Sequence, residues 1–411
     1  MSEPGVAIVG GGAAGLSAAI AAARLGAPVV VLETGTRVGR KILASGNGRC
    51  NLTNTAITPS AYNQPDFVAP VLEGYSCDVV LSFFGAMGLL TRADDEGRVY
   101  PVTGFAGSVL DVMRMECERL GVDVRYGFKA VAIREITDDA TLEVRSEDGR
   151  TVRAAAVVVA TGGGSLLGDL GHEIIDATPV LGPLRTQTGP IRGLSGVRVK
   201  CSASLLTEAG SSDSGRLIAT ERGEILFRDY GLSGIMIFDL SRYLEPGCVV
   251  SIDLFPDVDR PELVSVLEQR RDALAWRTAE TFFAGMLHDR ISRAILRAEG
   301  IAANAPVPAL PCDVLAARLK DFRLEVTGRG DASQAQVTRG GASVAGFDPH
   351  TMASRCADGL FAAGEVLDVD GRSGGFNLHW AWASGIVAGQ AGARWATTRG
   401  PERDVDSGMP K

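Results

Sequence analysis

Residues 6–15, VAIVGGGAAG, decide the fold of this chain. The apolar run 6–9 predicts a buried strand, and Gly10, Gly12 and Gly15 follow it with the spacing GxGxxG. Gly10 lets the chain turn sharply, Gly12 lets a diphosphate approach the backbone, and Gly15 lets a helix pack closely on the strand. This turn predicts a site for a nucleotide diphosphate.

The residues after this turn complete the unit. Gly12 opens an Ala-rich helix that runs to about Leu25, and the N-terminal amides and the positive dipole end of this helix would face the phosphates. Ala13 and Ala14, which follow Gly12, are therefore predicted to line the cofactor site. The run 28–32 is a second predicted strand, and Glu33 follows it, where a carboxylate accepts hydrogen bonds from a ribose diol. An ordinary glycine-rich strand–helix turn does not explain Glu33, so a dinucleotide is favoured.

Length and charge limit the classes of protein to consider. A chain of 411 residues exceeds one ordinary core, so two or three domains are expected. The net charge of −8 gives no general attraction to nucleic acid or to an anionic membrane. RNA therefore stays an alternative partner that the charge does not favour, and a small molecule is preferred.

Cysteine usage and the N-terminus predict the compartment. The seven Cys residues are scattered without a CxxC pair or metal-ligand spacing, which indicates reduced thiols and no metal site. Residues 1–4 lack the basic start of a signal peptide, and the apolar segment after them is interrupted by glycines. We expect a cytoplasmic protein without membrane association, and the oligomeric state stays open.

A second glycine signature lies near the other end of the chain. Residues 359–365, GLFAAGE, place Gly364 and Glu365 after an apolar run, similar to the carboxylate-bearing turn of two-dinucleotide-binding flavoproteins. A turn of the ATGG type at 160–163, with Thr161 and Gly162, commonly accompanies FAD folds. These two features favour FAD as the resident cofactor, and because no second GxGxxG exists, no separate nicotinamide domain is expected. NAD(P)H would then be a transient electron donor that reaches the flavin through the substrate opening.

The rest of the chain predicts a mixed order of elements. A β-meander is predicted over 123–128, 130–136 and 141–144, a buried strand over 156–160, and short strands of a barrel or sandwich from about 190 to 255. Helical periodicity covers 261–300, three prolines at 304–311 predict a linker, and strands follow at 323–327 and 335–338. A strand at 361–363 and a helix over 377–395 return to the nucleotide fold.

Several longer motifs resemble one known family. They are GRKILASGNGRCNLTN at 39–54, GEILF at 223–227, YGLSG at 230–234, VTRGG at 337–341, GEVLDVDG at 364–371 and GGFNLHWA at 374–381. These stretches are similar to the hallmarks of the BaiN-like flavoproteins, and the similarity runs from about residue 5 to 395.

The resemblance implies an α/β fold with a Rossmann-like FAD domain built from both termini, interrupted by a β-barrel and a small helical domain. The expected boundaries are 1–187 and 346–396 for the FAD domain, 188–257 with 321–345 for the barrel, 258–320 for the helical domain, and 397–411 for a flexible tail. The resemblance also implies which residues contact FAD, in addition to the glycine turn and the acidic residue after the second strand. They are Arg40, Lys41, Asn47, Gly48, Arg49, Asn51, Val131, Thr161, Gly162, Gly364, Glu365, Gly375, Asn377 and Leu378.

The sequence also departs from the family pattern near the expected active site. Phe105 stands where a Lys is expected, His379 replaces a common Gln, and Phe376 replaces a common Tyr. The glycine-rich insertion that usually follows Gly163 is short here. These changes leave FAD binding better supported than the identity of the substrate.

The family is linked to NAD(P)H-driven reduction of C=C bonds conjugated to a carbonyl, in bile-acid-type enones or in a uracil ring of ribosomal RNA. We expect hydride transfer to the β-carbon and a proton to the α-carbon from a nearby acid. Cys50, Tyr100 and His379 are the predicted acids, and Arg98 is a predicted clamp for a substrate carbonyl or phosphate. Arg49 beside Cys50 would favour the thiolate form of Cys50, which argues against Cys50 as an acid. For His379 and Tyr100 the alternative is a packing role. For Arg98 the alternative is an ion pair at the surface.

The sequence and the family resemblance leave three alternative functions. The first is an ene-reductase of a small molecule, the second a ribosomal RNA uridine reductase that forms dihydrouridine, and the third a flavin redox sensor or assembly factor without turnover.

Overall fold

The computed structural model describes residues 5–136, 141–164, 166–207 and 215–398. The chain divides into two compact units. The first consists of Met1–Thr178 with Val337–Lys411, and the second is Pro179–Gln336. The first unit is therefore made from both ends of the chain.

The first unit is built on a five-stranded parallel sheet. Its strands, in spatial order, are Leu360–Ala362, Ala156–Val159, Val6–Val9, Val29–Leu32 and Asp123–Arg125. In the first four of these strands every residue is buried, because both faces of the sheet are covered, and their sequences are accordingly continuous apolar runs. The predicted Rossmann-like sheet, with its last strand supplied from the C-terminal part, is confirmed.

Two helices cover this sheet, the first helix at Ala13–Arg24 and the last helix at Phe376–Thr398. They pack backbone to backbone, because a Cβ at Gly385 would lie 2.3 Å from the carbonyl oxygen of Ala14, and one at Gly389 would lie 2.2 Å from that of Ala18. Glycine at these two positions is what permits the close approach.

Four further helices belong to the first unit, at Arg40–Ala44, Pro65–Gly74, Cys77–Gly85 and Ala106–Arg119. The sequence pattern does not predict these helices. The helix Ala106–Arg119 is tied to the first helix by Glu116, whose carboxylate accepts hydrogen bonds from Arg24 and Arg119. Together these two guanidinium groups hold the pKa of Glu116 at about 2, with Arg119 the larger cause.

Small antiparallel sheets surround the central one. One contains Thr53–Asn54, Arg98–Pro101 and Thr91–Ala93, another contains Ala130–Ile136, Thr141–Ser146 and Thr151–Ala154, and a third pairs Ile174–Val180 with Val337–Ala342. The predicted meander is wrong at its first strand. Asp123–Arg125 pairs in parallel with residues 30–32 of the central sheet, and the third meander strand is Thr151–Ala154.

The second unit contains a closed six-stranded barrel. Its strands follow the order Leu184–Thr186, Gly231–Ser233, Leu217–Arg228, Arg198–Thr207, Cys248–Asp253 and Phe322–Arg329. The helices of this unit are Ile235–Ser241, Arg260–Ala273, Ala279–Phe282, Asp289–Ala298 and Cys312–Lys320. Barrel and helices share one hydrophobic core, and the domain boundaries expected from the sequence stay a prediction.

Two predictions for segments of the chain between 300 and 340 are wrong. Residues 304–311 are not a linker, because a 3₁₀ turn at Val307–Ala309 buries Val307 and Leu310 in this core. The strand predicted at 335–338 is Val337–Ala342, which pairs outside the barrel.

Predictions for the two termini have limited overlap with the described residues. Residues 1–4 and 399–411 lie outside them, and Thr397 and Thr398 still belong to the last helix. Within the described ranges, no single helix is long and apolar enough to cross a membrane. Pro65–Gly74 and Cys77–Gly85, bent by 49°, pass that test only as a pair, by length and composition.

Candidate functional site

The turn between the first strand and the first helix, residues 10–15, is here called the phosphate turn. Gly10 has φ +106°, and a Cβ there would lie 2.5 Å from the carbonyl oxygen of Ala160 on the neighbouring strand. A Cβ at Gly15 would lie 1.8 Å from the carbonyl oxygen of Gly10. Both glycines are therefore required by the backbone itself, as the sequence pattern predicts.

Gly12, in the same turn, faces open space. A Cβ there would meet no atom within 4 Å, so space for a ligand exists beside the start of the first helix. That helix has no acidic residue in its first turn, and Gly12 supplies no side-chain cap. Its free N–H groups and the positive end of its dipole suit an anion such as a diphosphate.

Glu33 holds the phosphate turn from the end of the second strand. One carboxylate oxygen accepts a hydrogen bond from the N–H of Gly11 at 2.8 Å, and the other accepts from the N–H of Gly35 at 2.6 Å. Each oxygen keeps further lone-pair capacity for a hydroxyl group. The position agrees with a ribose ligand, which stays a prediction.

The adenine end of the predicted site is partly assembled around Glu33. The N–H of Phe128 donates to the carbonyl oxygen of Glu33, and that of Gly127 donates to Gly35. Val131 follows three residues later in the strand Ala130–Ile136, with its side chain exposed. The pairing of this strand with its neighbour is irregular between Ala130 and Ala132, and the predicted role of Val131 remains a prediction.

The stretch from Ser45 to Asn51, the 45–51 loop, has an unusual backbone. Gly46, Asn47, Gly48 and Cys50 all have φ between +55° and +82°. Two of these four are not glycine, and left-handed non-glycine residues concentrate at functional sites because the surroundings must maintain the strain. Hydrogen bonds from the N–H groups of Arg49 and Cys50 back to Gly46 and Ser45 close the loop.

Cationic side chains project from the same region. Arg40, Lys41 and Arg49 are exposed, and Asn47 is exposed beside them. The guanidinium of Arg49 lies over the ring of Tyr100, with 4.3 Å between its carbon and the ring centroid. The charges of Arg40 and Arg49 suit phosphate oxygens, whereas Lys41 is paired with Glu365.

A cross-link joins this region to Glu365 on the return segment. Lys41 Nζ lies 2.7 Å from one carboxylate oxygen of Glu365 and 3.5 Å from the carbonyl oxygen of Gly162. The other carboxylate oxygen accepts a hydrogen bond from the N–H of Thr338 at 2.9 Å. Three predicted site residues from distant parts of the sequence are therefore brought together, while Thr161 donates its hydroxyl hydrogen bond locally to Gly163.

Residues 364–378 form the return turn, which leads into the last helix. Gly364 has φ +75°, and a Cβ there would lie 2.8 Å from the Cβ of Ala14 in the phosphate turn. The Asn377 side chain accepts from the N–H of Gly371 at 2.8 Å and donates to its carbonyl oxygen at 2.9 Å. Asn377 thus shapes the turn, and Leu378, half-buried, follows it in the first turn of the helix.

The return turn is also held by residues to which the sequence analysis assigns no role. Arg339 forms two hydrogen bonds, of 2.6 and 3.0 Å, with the carboxylate of Asp370, which is fully buried. Asp368 accepts from the N–H of Gly340 and from Gln64. Both aspartates lie in the quoted motif at 364–371, and a pair of acidic residues inside an apolar stretch is the signal that could have revealed them.

Tyr62 and Asn63 complete this support. The hydroxyl of Tyr62 donates to the carbonyl oxygen of Phe376 at 2.9 Å, and the side-chain oxygen of Asn63 accepts from the N–H of Asp370 at 2.8 Å. The return turn is therefore fixed by residues more than 300 positions away.

The start of the last helix also tests whether the site fits FAD. Gly375 has φ +106°, and a Cβ there would lie 2.9 Å from the side-chain oxygen of Asn51, which is buried without a hydrogen-bond partner among the described residues. A buried acceptor without a donor, beside helix amides without an acidic neighbour, suits a polar ring edge. Together with the open phosphate turn, these residues fit FAD.

Cys50, one of the predicted acids, is a buried thiol, and its predicted catalytic role stays a prediction. Its side chain is fully buried, and burial raises the pKa of the thiol to about 12, an effect larger than the opposing hydrogen bond to Ser45. The expectation that Arg49 favours the thiolate is wrong, because the Arg49 guanidinium lies over Tyr100 instead.

His379 is fully buried and both of its ring nitrogens are engaged. Nε2 donates to the carbonyl oxygen of Tyr75 at 2.9 Å, and Nδ1 lies 2.8 Å from the hydroxyl of Thr53. Because a carbonyl can only accept, Nε2 carries the proton and Nδ1 accepts from Thr53. Burial lowers the pKa of His379 to about 4, so the ring is neutral. This geometry supports the packing alternative.

Arg98 and Tyr100 lie on the same short strand, Arg98–Pro101. Arg98 forms ion pairs with Asp94 at 2.8 Å and Glu96 at 3.0 Å, so its guanidinium is shared with protein carboxylates. Tyr100 is largely buried beneath Arg49. Their predicted roles stay predictions.

Comparisons with known proteins agree with this geometry. The model of the HI0933-like protein Rossmann domain matches residues 4–391. A 3-dehydro-bile acid Δ(4,6)-reductase from Clostridium scindens is 33% identical over 94% of this chain and 98% of that protein. Two proteins called ribosomal RNA dihydrouridine synthase are also similar. The one from Escherichia coli is 30% identical over 93% of this chain and 96% of its own length, and the one from Haemophilus influenzae is 29% identical over 92% and 95%.

Proposed function

We propose a reaction for this chain from one premise: the chain belongs to the HI0933-like Rossmann family and is an FAD-dependent oxidoreductase. The proposed reaction is the reduction of a carbonyl-conjugated C=C bond of a small molecule with electrons from NAD(P)H. The observation that carries the proposal is the near full-length similarity to the bile acid reductase, whose name states its substrate class. The FAD supplies hydride transfer when it is bound.

The residues of this chain bind and orient the cofactor. The phosphate turn and the first helix would hold the diphosphate, Glu33 the ribose, and the 45–51 loop with the return turn the ring end. The N-terminal amides of the last helix would stabilise negative charge at this end.

An exposed apolar group supports an apolar substrate. The N–H of Val102 donates to the carbonyl oxygen of Leu90, which places these residues side by side with 48% and 74% of their surfaces exposed. Phe105 follows at 61% exposure, in the position where a Lys is expected. Three exposed apolar side chains close to the strand that carries Tyr100 favour a hydrophobic molecule over a polyanion.

Tyr100 remains our proposal for the proton donor. Of the predicted acids, Cys50 and His379 have no exposed surface, whereas Tyr100 keeps a small exposed fraction. Its hydroxyl would protonate the α-carbon and be reprotonated from water.

A uridine of ribosomal RNA is the second candidate substrate, because two relatives carry that activity in their names. The net charge of −8 weighs against it, since RNA binding draws on clustered Lys and Arg. Residues 179–336 contain Lys and Arg in nearly the same number as Asp and Glu, so the second unit has no overall basic excess.

The test is anaerobic addition of NADPH or NADH to the purified protein while the visible absorbance of the flavin is followed. Bleaching by one of them, and recovery on adding a steroid enone, is the expected result. If neither bleaches the flavin, the proposed electron donor is wrong. If bleaching occurs, no enone is reduced, and ribosomal RNA from a deletion strain lacks a dihydrouridine, the second candidate replaces the first.

A matched pair of variants tests the proton donor. Tyr100→Phe is expected to lower turnover at least about tenfold while flavin bleaching by the nicotinamide persists, because only the second half-reaction needs the acid. His379→Gln is expected to keep turnover within about twofold. Equal loss in both variants would contradict the assignment.

A further inference from the structure

The side-chain oxygen of Asn51, Oδ1, is an acceptor in need of a donor. Asn51 is 9% exposed, and among the described parts of the chain no donor reaches this oxygen. Native structures rarely keep such a group, because the water it loses on burial must be replaced by another hydrogen bond. A donor from outside the chain is therefore expected here.

The surroundings of Asn51 prevent the loop from moving to find a donor. The N–H of Leu52 donates to Val99, and the indole of Trp382 donates to the carbonyl oxygen of Leu52 at 3.0 Å. On the other side, a Cβ at Gly46 would lie 2.9 Å from the backbone nitrogen of Asn51. The amide is thus held between a fixed strand and a tight left-handed turn.

The beginning of the last helix lies beside the Asn51 side chain. Oδ1 lies 2.9 Å from the position that a Cβ on Gly375 would take, one residue before the helix begins at Phe376. The first turn of this helix has no acidic residue, so its N–H groups are offered to acceptors. An acceptor and a set of donors thus lie side by side.

This pattern is complementary to one chemical group. An imide presents an N–H donor flanked by two carbonyl acceptors, and the isoalloxazine ring of FAD has such an edge. We propose that Asn51 Oδ1 accepts a hydrogen bond from the imide N–H of the flavin while amides at the start of the last helix serve a flanking carbonyl. Asn51 is then the residue that recognises this edge of the ring. The inference rests on the proposed function only in requiring that FAD is bound.

The experiment uses the full chain reconstituted with ¹⁵N-labelled FAD. The imide proton is followed by its ¹⁵N–¹H correlation, and the affinity for FAD by fluorescence titration. In the wild-type protein the correlation is expected to be visible and protected from exchange. Asn51→Ala is expected to lose it and to raise the dissociation constant about tenfold, the ratio for one hydrogen bond.

Asn51→Asp shows whether the side-chain oxygen or the NH₂ group of Asn51 forms the hydrogen bond with the ring. Aspartate keeps an acceptor oxygen and has no N–H donor, so the imide correlation is expected to persist in this variant and to move downfield. Loss of the correlation in Asn51→Asp would mean that the amide acts through its NH₂ group, which overturns the proposal.

Asn54 is the matched control, from the same loop region and also buried. Its Nδ2 donates to the carbonyl oxygen of Gly374 at 3.0 Å, and its Oδ1 accepts from the N–H of Ala56 at 2.9 Å. Asn54→Ala is expected to lower the melting temperature and to retain the imide correlation. Because its amide is already satisfied within the protein, a loss of the correlation here as well would attribute the effect to loop collapse and overturn the proposal.

Two further outcomes distinguish a failure of this inference from a failure of the proposed function. If Asn51→Ala keeps both the correlation and the affinity, another group satisfies the ring edge and this inference alone is wrong. If the wild-type protein binds no FAD, the proposed function fails together with it.

Discussion

The phosphate turn and the return turn serve the same predicted cofactor, but they are built in opposite ways. The phosphate turn is shaped by glycine backbone and by Glu33, within a single strand–helix–strand unit. The return turn is held by side chains of Arg339, Tyr62 and Asn63, which come from two separate earlier segments.

The difference shows two ways in which the backbone conformation of a turn can be fixed. A local turn is fixed when no other backbone path is sterically allowed, so a substitution that adds an atom destabilises it. A turn assembled from distant segments depends on hydrogen bonds between buried polar groups, so a substitution that removes one hydrogen-bond partner destabilises it. Substitutions should therefore damage the two turns by different mechanisms.

The largest effect is expected at the return turn. Arg339→Leu removes both side-chain hydrogen bonds to a carboxylate with no exposed surface, and breaking such a buried pair costs about 3–5 kcal/mol of unfolding free energy. Urea unfolding would measure the loss, and FAD titration of the same samples would show weaker binding.

Arg339→Lys is the control variant, because it keeps the positive charge but lacks the planar guanidinium that forms two parallel hydrogen bonds. It is expected to recover part of the stability, because an ammonium keeps the charge and loses the second parallel hydrogen bond. A loss below about 1 kcal/mol in Arg339→Leu would show that the return turn does not depend on this pair.

A smaller effect is expected at the phosphate turn. Gly15→Ala places a Cβ 1.8 Å from the carbonyl oxygen of Gly10, and the resulting backbone shift should cost about 3 kcal/mol and weaken FAD binding. Gly12→Ala is the matched variant, since its Cβ meets nothing within 4 Å and its φ is −85°. We expect it to change stability by less than about 0.5 kcal/mol and yet to hinder FAD, which thermal unfolding and titration would separate. Equal destabilisation in both variants would contradict a steric origin.

The smallest effect tests the junction between the 51–54 segment and the last helix. His379 has a pKa of about 4 in the folded protein and an ordinary value near 6.5 when unfolded, so the unfolded state binds more protons between these values. Stability is therefore lost as the pH falls through this window. From about pH 7.5 to about pH 5.5 the loss from this group should be on the order of 1 kcal/mol.

His379→Gln removes the titrating group and offers a donor and an acceptor in its place. The variant should lose less stability than the wild-type protein over the same pH range in urea unfolding. Parallel pH dependence in the two proteins would show that His379 is accessible to protons in the folded state.

These contrasts explain what the sequence could predict. The Rossmann-like sheet, the phosphate turn and Glu33 follow from a spacing pattern within about 30 residues, because steric rules act locally. The glycines and the family resemblance predict the return turn, and Asn377 lies in the first turn of the last helix, while its contact with FAD stays a prediction. The residues that support the return turn, Arg339 with Asp370 and Tyr62 with Phe376, could not be paired, since nothing in a single sequence says which distant segments meet.

The catalytic predictions show the same limit. Cys50 and His379 were chosen for their residue types and neighbours in sequence, yet burial decides the protonation of both. The sequence pattern does not predict the helices Cys77–Gly85 and Ala106–Arg119, whose residues share the buried core of Cys50. Nor does it predict Pro65–Gly74, and Tyr75 directly after that helix accepts the hydrogen bond of His379.

The close contact of the first helix with the last has a consequence for biosynthesis. A ribosome completes the first helix early, but its partner at Phe376–Thr398 leaves the exit tunnel only when translation is almost finished. During that interval the nascent chain exposes the surface formed by Ala14 and Ala18, which the glycines of the last helix later cover. A chain stalled before residue 376 should therefore bind chaperones and remain colourless, however well its barrel has folded.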